Sequence, residues 1–131
     1  MKVFHFLEKS VCDHPQNIAV IHLDRKITYL ELHNFSGCLA SFLKGLSLNP
    51  GSRIALLWDN SIEYVSLFFA TFKANLVLVP LDTSLGQKRI APLLPIVEPR
   101  FYSSNQNISG TWRKSSVILH HFLILFQIDR Y

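Results

Sequence analysis

Hydrophobic residues at the start of the chain recur three or four positions apart, a spacing typical of one face of an α-helix. They are Val3, Phe4, Leu7, Val11 and Cys12. Pro15 follows them, and prolines are common just past the end of a helix. The pattern therefore predicts a first helix that ends before Pro15.

The next segment has the pattern of a β-hairpin. An apolar run from Asn17 to Leu23 predicts a strand, and the polar residues 24–26 predict a turn. Ile27 and Thr28 can then return as a second, shorter strand.

A helix with a capping box is predicted directly after the hairpin. Thr28 and Glu31 have the T-x-x-E spacing in which each residue bonds the backbone of the other. Hydrophobic residues then recur at helical spacing as far as a predicted end near Gly45. They are Tyr29, Leu32, Phe35, Leu39, Phe42, Leu43 and Leu46.

Two apolar runs further along predict strands on either side of a third helix. The run that follows Arg53, as far as Trp58, is continuous, as in a strand buried on both faces of a parallel sheet. Leu76–Pro80 predicts another strand. Asn60 and Glu63 are the predicted cap of the helix between them, and Asn75 can close that helix in the left-handed conformation.

The last elements of the pattern are a short helix and a strand. Ser84 and Gln87 predict a cap, Pro95 limits the helix to about Leu94, and Phe101–Tyr102 predict a strand. Strands thus alternate with helices, which predicts an α/β fold with parallel strand pairs. The pattern stops after Ser104, so we predict one domain over 1–104 and an appended segment of unknown structure over 105–131.

Charge and composition exclude several classes of function. The net charge is +4, but the basic residues occur singly or in pairs, which argues against a nucleic-acid surface. No apolar tract is long enough to cross a membrane, and no signal peptide is recognisable, so a cytoplasmic location is expected.

Cys12 and Cys38 lack metal-ligand spacing and are expected to be small buried hydrophobes. The six histidines form no zinc motif, so no metal site is predicted.

Several stretches, in order, resemble the adenylate-forming superfamily of acyl-CoA synthetases, luciferases and nonribosomal-peptide adenylation domains. Ile27–Leu32 resembles "(I/L)TYxEL", and Phe72–Asp82 is similar to "LKAGxxxVPLD", with Asn75 in place of the usual glycine. Pro50–Leu57 resembles "PGDRVALL", and residues 59–64 and 89–100 match further family segments. The resemblance implies that the chain has the N-terminal part of that enzyme fold.

The resemblance also implies an activity for the full-length family, which activates a carboxylic acid as an acyl-adenylate. It implies ATP and Mg²⁺ as cofactors, with CoA or phosphopantetheine as the acceptor. The motif residues Thr28, Glu31, Lys73, Ala74 and Pro80 are expected to shape helix ends and strand starts. No catalytic, cofactor-binding or metal-binding role is carried onto any residue of this chain.

The family's phosphate loop and later motifs have no counterpart in this sequence. The nearest string, Ile108–Lys114, shares only Ser-Gly-Thr with "TSGTTGxPKG", and Trp112 is bulky for a backbone that must approach phosphate. The chain is therefore expected to be a truncated ligase fragment, inactive alone and needing no cofactor.

Two other interpretations stay open. The chain could be a non-catalytic interaction module or a non-functional truncated product, with self-association through exposed apolar surface. It could also be an independent nucleotide-binding α/β domain, although it lacks a Gly-rich loop between a strand and a helix.

Overall fold

The computed structural model describes residues 2–104, and it describes only the backbone of Gln87, Leu94 and residues 101–104. The predictions for residues 105–131 lie outside the described residues. Helices and strands follow the predicted order, except that several short helical segments replace the single helix predicted before the last strand. They form two compact units, whose described residues are 2–51 with 60–77, and 52–59 with 78–104.

The first unit begins with the predicted helix and hairpin. Helix α1 (Val3–Asp13) ends with a hydrogen bond of 2.8 Å from the His14 N–H to the Ser10 carbonyl. Strands β1 (Ile18–His22) and β2 (Arg25–Thr28) pair antiparallel.

The turn of this hairpin differs from the prediction. Residues 25 and 26 were predicted to lie in the turn, but both belong to β2, where Arg25 pairs with His22 and Lys26 with Ile21. The turn consists of Leu23, which has a φ of 53°, and Asp24. Two residues suffice to connect antiparallel strands, so pairing extends further than the polar character of the sequence indicates.

The predicted capping box at the start of helix α2 (Tyr29–Gly45) is confirmed. The Glu31 N–H donates to Thr28 Oγ1 at 3.2 Å, and the Thr28 N–H donates to Glu31 Oε2 at 2.8 Å. Two backbone donors that a helix leaves unpaired are thereby satisfied. The box fixes the point at which the chain passes from β2 into the helix.

Helix α3 (Ile62–Lys73) is confirmed, but its predicted cap is wrong. Ser61, and not Asn60, is the N-cap, and its hydroxyl accepts from the Tyr64 N–H at 3.1 Å. Ser61 has the extended backbone that is typical of a cap residue, with a φ of −160° and a ψ of 168°, so the first helical residue is the buried Ile62. At the other end Asn75 has a φ of 60°, as predicted.

One cluster in the core of the first unit brings together residues of the hairpin and of all three helices. Its buried members are Leu7, Ile27, Leu32 and Ile62, from α1, β2, α2 and α3. Partly buried hydrophobic residues surround them: Val11, Ala19, Val20, Tyr29, Val65 and Phe69. Burial of these apolar surfaces holds the hairpin and the three helices together.

A three-stranded sheet has the order β4–β3–β5 and consists of β3 (Arg53–Leu57), β4 (Val77–Pro80) and β5 (Phe101–Ser104). All of its residues except Val77 belong to the second unit. Strands β3 and β5 are parallel, which confirms the predicted α/β character. The last four residues of β3 are each at most 1% exposed, so this strand is buried on both faces, as its sequence indicates.

The segment between β4 and β5 differs from the predicted single helix. A 3₁₀ turn at Thr83–Leu85 is followed by α4 (Gly86–Ile90) and α5 (Leu94–Val97). The cap of the turn is Asp82, whose carboxylate accepts from the Ser84 N–H at 2.8 Å, and not Ser84. Pro92 has no N–H to continue α4, whereas Pro95 lies in the first turn of α5, where a proline is tolerated.

Both cysteines are exposed, so the prediction that they are buried is wrong. Cys12 and Cys38 lie on α1 and α2, but on parts of each helix that face away from the core. No helix within residues 2–104 has the length and apolar character that crossing a membrane requires.

Candidate functional site

A polar cluster at the contact between α2 and α3 contains Lys73, which belongs to one of the family motifs. Its ammonium lies 3.1 Å from Ser36 Oγ, 3.2 Å from the His33 carbonyl oxygen and 3.3 Å from His33 Nδ1. Ser36 is completely buried, while Lys73 and His33 are partly buried. The cluster lies wholly within the first unit.

In one arrangement each of the three donors of the Lys73 ammonium has an acceptor. An ammonium group has three donors and no acceptor, and three acceptors surround Lys73. The Ser36 hydroxyl donates in turn to the His33 carbonyl at 3.0 Å. Nδ1 of His33 must then be the acceptor, which places the proton of the neutral ring on Nε2.

Burial and charge act together on the two ionisable groups. Burial lowers the pKa of Lys73, and the carboxylate of Glu8 on α1 opposes that shift. Burial likewise lowers the pKa of His33, the positive charge of Lys73 lowers it further, and Glu8 opposes both effects. With every donor of its ammonium directed at α2, Lys73 joins the two helices and presents no donor to a substrate.

The other motif residues lie at the ends of elements. Ala74 follows α3, and its N–H donates to the Ala70 carbonyl at 2.9 Å. Pro80 is the last residue of β4 and does not start a strand, contrary to the expectation. Within residues 2–104 no three His, Cys, Asp or Glu side chains are close enough together to hold a metal ion.

Polar residues follow β3 and β4, at an edge where α/β sheets commonly bind ligands. The Thr83 hydroxyl donates to Asp59 Oδ1 at 2.6 Å, and Asp82 accepts from the Ser84 N–H. Hydrogen bonds from Ser84 lower the pKa of Asp82, which is fully exposed. The Ser84 N–H, which could otherwise face a phosphate, is thereby used to hold the loop.

A shallow cleft of about 490 Å³ in the first unit is mainly apolar. Its lining residues are Lys2, Val3, Gly51, Phe72, Asn75, Leu76 and Val77. The Gly51 N–H is already bonded to the Asn75 carbonyl at 2.9 Å. A triphosphate with its Mg²⁺ requires several convergent donors, so one lysine in an apolar cleft does not fit ATP.

The chain belongs to the AMP-binding enzyme family, whose model matches residues 7–116. It is 33% identical over 98 residues to the nonribosomal peptide synthetase agiA of Aspergillus flavus, covering 75% of this chain and 1% of that protein. It is 34% identical over 111 residues to the phosphinothricin tripeptide synthetase PhsC of Streptomyces viridochromogenes, covering 85% of this chain and 10% of the relative.

Solved structures agree with this assignment. The N-terminal subdomain of Klebsiella oxytoca NpsA, in complex with 3-hydroxybenzoyl-AMSN, superposes with a TM-score of 0.76 at 27% identity. The match covers 85% of this chain and 29% of that one. The family resemblance seen in the sequence and the partial N-terminal subdomain fold are therefore confirmed. The chain spans a small part of the length of the proteins it matches.

The sequence did not indicate that His33 and Ser36 would meet Lys73. They lie 40 and 37 residues before it, and no short motif links them. A weak signal exists in hindsight, since His33 and Ser36 are three positions apart and can share one face of α2.

Proposed function

We propose that this chain supplies the N-terminal part of an ATP-dependent adenylating enzyme that activates an amino acid or another carboxylic acid as an acyl-adenylate. The observation that carries the proposal is the superposition of 85% of the chain on the NpsA subdomain. The nonribosomal peptide synthetases among its relatives support a role in such an assembly enzyme. Mg²⁺ and a thiol acceptor such as CoA or phosphopantetheine belong to this proposal.

Within such an enzyme, residues 2–104 have an architectural role. The capping box of Thr28 and Glu31 sets the start of α2, and Lys73 holds the end of α3 against α2. Neither the cleft nor the loops after β3 and β4 provide the donors that ATP phosphates need. We therefore propose that this chain does not form an adenylate by itself.

A chimera tests the proposal. The segment of the NpsA N-terminal subdomain that superposes on this chain would be replaced by the matching residues of this chain, and ATP–pyrophosphate exchange measured with the carboxylic acid that unmodified NpsA activates. We expect exchange above the level without acid, because the replaced segment supplies architecture and not reacting groups. Unmodified NpsA is the positive control. A chimera with native-like circular dichroism but no exchange would contradict the proposal.

Self-association stays a prediction. Large hydrophobic residues are exposed on the hairpin, with Ile21 63% and Leu23 83% exposed. Single exposed hydrophobic residues are common on protein surfaces, so this observation favours no second function.

A further inference from the structure

The contact between His33 and Lys73 depends on the protonation state of the imidazole. Nδ1 of His33 lies 3.3 Å from the Lys73 ammonium and can accept a hydrogen bond from it only while Nδ1 carries no proton. If Nδ1 took up a proton, the ring would become an imidazolium. Its N–H and its positive charge would then face the positively charged ammonium of Lys73 at that distance. Like charges so close repel, and partial burial weakens the screening by water.

The remaining acceptors of Lys73 cannot compensate for this repulsion. Ser36 Oγ and the His33 carbonyl are already bonded to Lys73 and to each other. Ser36 is completely buried, so water cannot reach its hydroxyl to provide a further acceptor for the ammonium there. A protonated His33 ring would therefore have to turn away, or the end of α3 would have to separate from α2.

We propose that His33 makes the contact between α2 and α3 sensitive to pH: the neutral ring accepts a hydrogen bond from Lys73, and protonation breaks that bond and weakens the helix pair. This inference does not rest on the proposed enzymatic function.

The charges around His33 come from two packed helices. Lys73 on α3 disfavours the protonated ring, whereas Glu8 on α1 favours it. The hairpin also contacts α2, but its ionisable residues do not act on the pKa of His33. These residues are His22, Asp24, Arg25 and Lys26. Burial is the largest effect and acts in the same direction as Lys73, so the pKa is lowered from 6.5 despite Glu8.

The direction of the pH dependence follows from this lowered pKa. Between the folded and unfolded values, the unfolded chain binds more protons than the folded chain, so stability rises with pH. The contribution of the contact is thus fully present above the unfolded pKa of about 6.5. It is lost as the pH falls below that value, through the lower pKa of the folded state.

Nuclear magnetic resonance of the full, ¹⁵N-labelled chain tests the proposal. Long-range ¹H–¹⁵N correlations identify which ring nitrogen carries the proton, and a titration gives the midpoint. We expect His33 to have its proton on Nε2 and to titrate with a midpoint below 6.5, the ordinary value for histidine. A proton on Nδ1, or a midpoint at or above 6.5, would overturn the proposal.

Two variants connect the titration to the helix contact. In Lys73→Met the midpoint of His33 should rise, whereas in the control Lys44→Met, at an exposed lysine of α2, it should not change. In His33→Gln, whose amide oxygen can still accept from Lys73, the loss of stability below pH 6.5 should be smaller than in the unmodified chain. Equal losses in both chains would overturn the proposal. If a variant does not fold, the tautomer and midpoint of the unmodified chain decide.

Discussion

Replacing Leu39 with alanine is expected to lower the free energy of unfolding by about 2–5 kcal/mol. Leu39 lies in the middle of α2 and is completely buried, so its removal leaves a cavity in the core of the first unit. Small domains are typically stable by only about 5–15 kcal/mol, so a loss of this size would populate the unfolded state. Urea unfolding followed by circular dichroism measures it.

Leu23→Ala is the matched control for this substitution. Leu23 has the same side chain but is 83% exposed at the hairpin turn. Its replacement should change the stability by no more than about 0.5 kcal/mol, as at most surface positions. Similar losses in the two variants would contradict the placement of Leu39 in the core.

The second large effect is expected from Lys73→Met, which should cost about 1–2 kcal/mol. The substitution leaves Ser36 Oγ and His33 Nδ1 without the donor that now serves them. Lys73 is only partly buried and water can reach part of the site, so we expect the lower part of the range of about 1–3 kcal/mol for a buried polar group that loses its partner. The same urea experiment measures the loss.

Lys44→Met separates this effect from the general loss of a positive charge. Lys44 is in the last turn of α2 and exposed. We expect a change of at most about 0.5 kcal/mol there. If Lys73→Met were as stable as Lys44→Met, the three contacts of Lys73 would contribute nothing, and the architectural role proposed for it would be wrong.

Features whose partners lie close together in the sequence could be predicted. The capping box needs only Thr28 and Glu31, three residues apart, and Asn75 closes α3 through its own backbone preference. The continuous apolar run of β3 likewise indicates its burial, because no alternation of polar residues exposes either face. These features also carry most of the family resemblance.

The choice between neighbouring candidates could not be predicted. Asn and Ser both cap helices well, but in the folded chain Ser61 has the extended backbone of a cap residue and accepts from the Tyr64 N–H. Asp82 and Ser84 are likewise both suitable as the cap of the 3₁₀ turn. Asp82 is the cap, because its carboxylate accepts a hydrogen bond from the Ser84 N–H. In both cases the tertiary structure fixes the helix start, and the cap follows from it.

Contacts between segments that are distant in the sequence could not be predicted either. The cluster of His33, Ser36 and Lys73 exists only because α2 packs on α3, and its residues are ordinary in their own segments. The exposure of Cys12 and Cys38 has a similar reason, since helical spacing does not show which side a neighbouring element covers. The contact of His33 with Lys73 could therefore not be recognised from the sequence.

We infer that residues 2–104 provide the architecture of an adenylating enzyme and no ATP site of their own. Calorimetry tests this most directly. ATP with Mg²⁺ would be titrated into the purified full chain after circular dichroism has shown that it is folded. We predict no saturable heat of binding. Saturable one-to-one binding at micromolar affinity, about −8 kcal/mol, would contradict the account and direct attention to Ser109–Thr111.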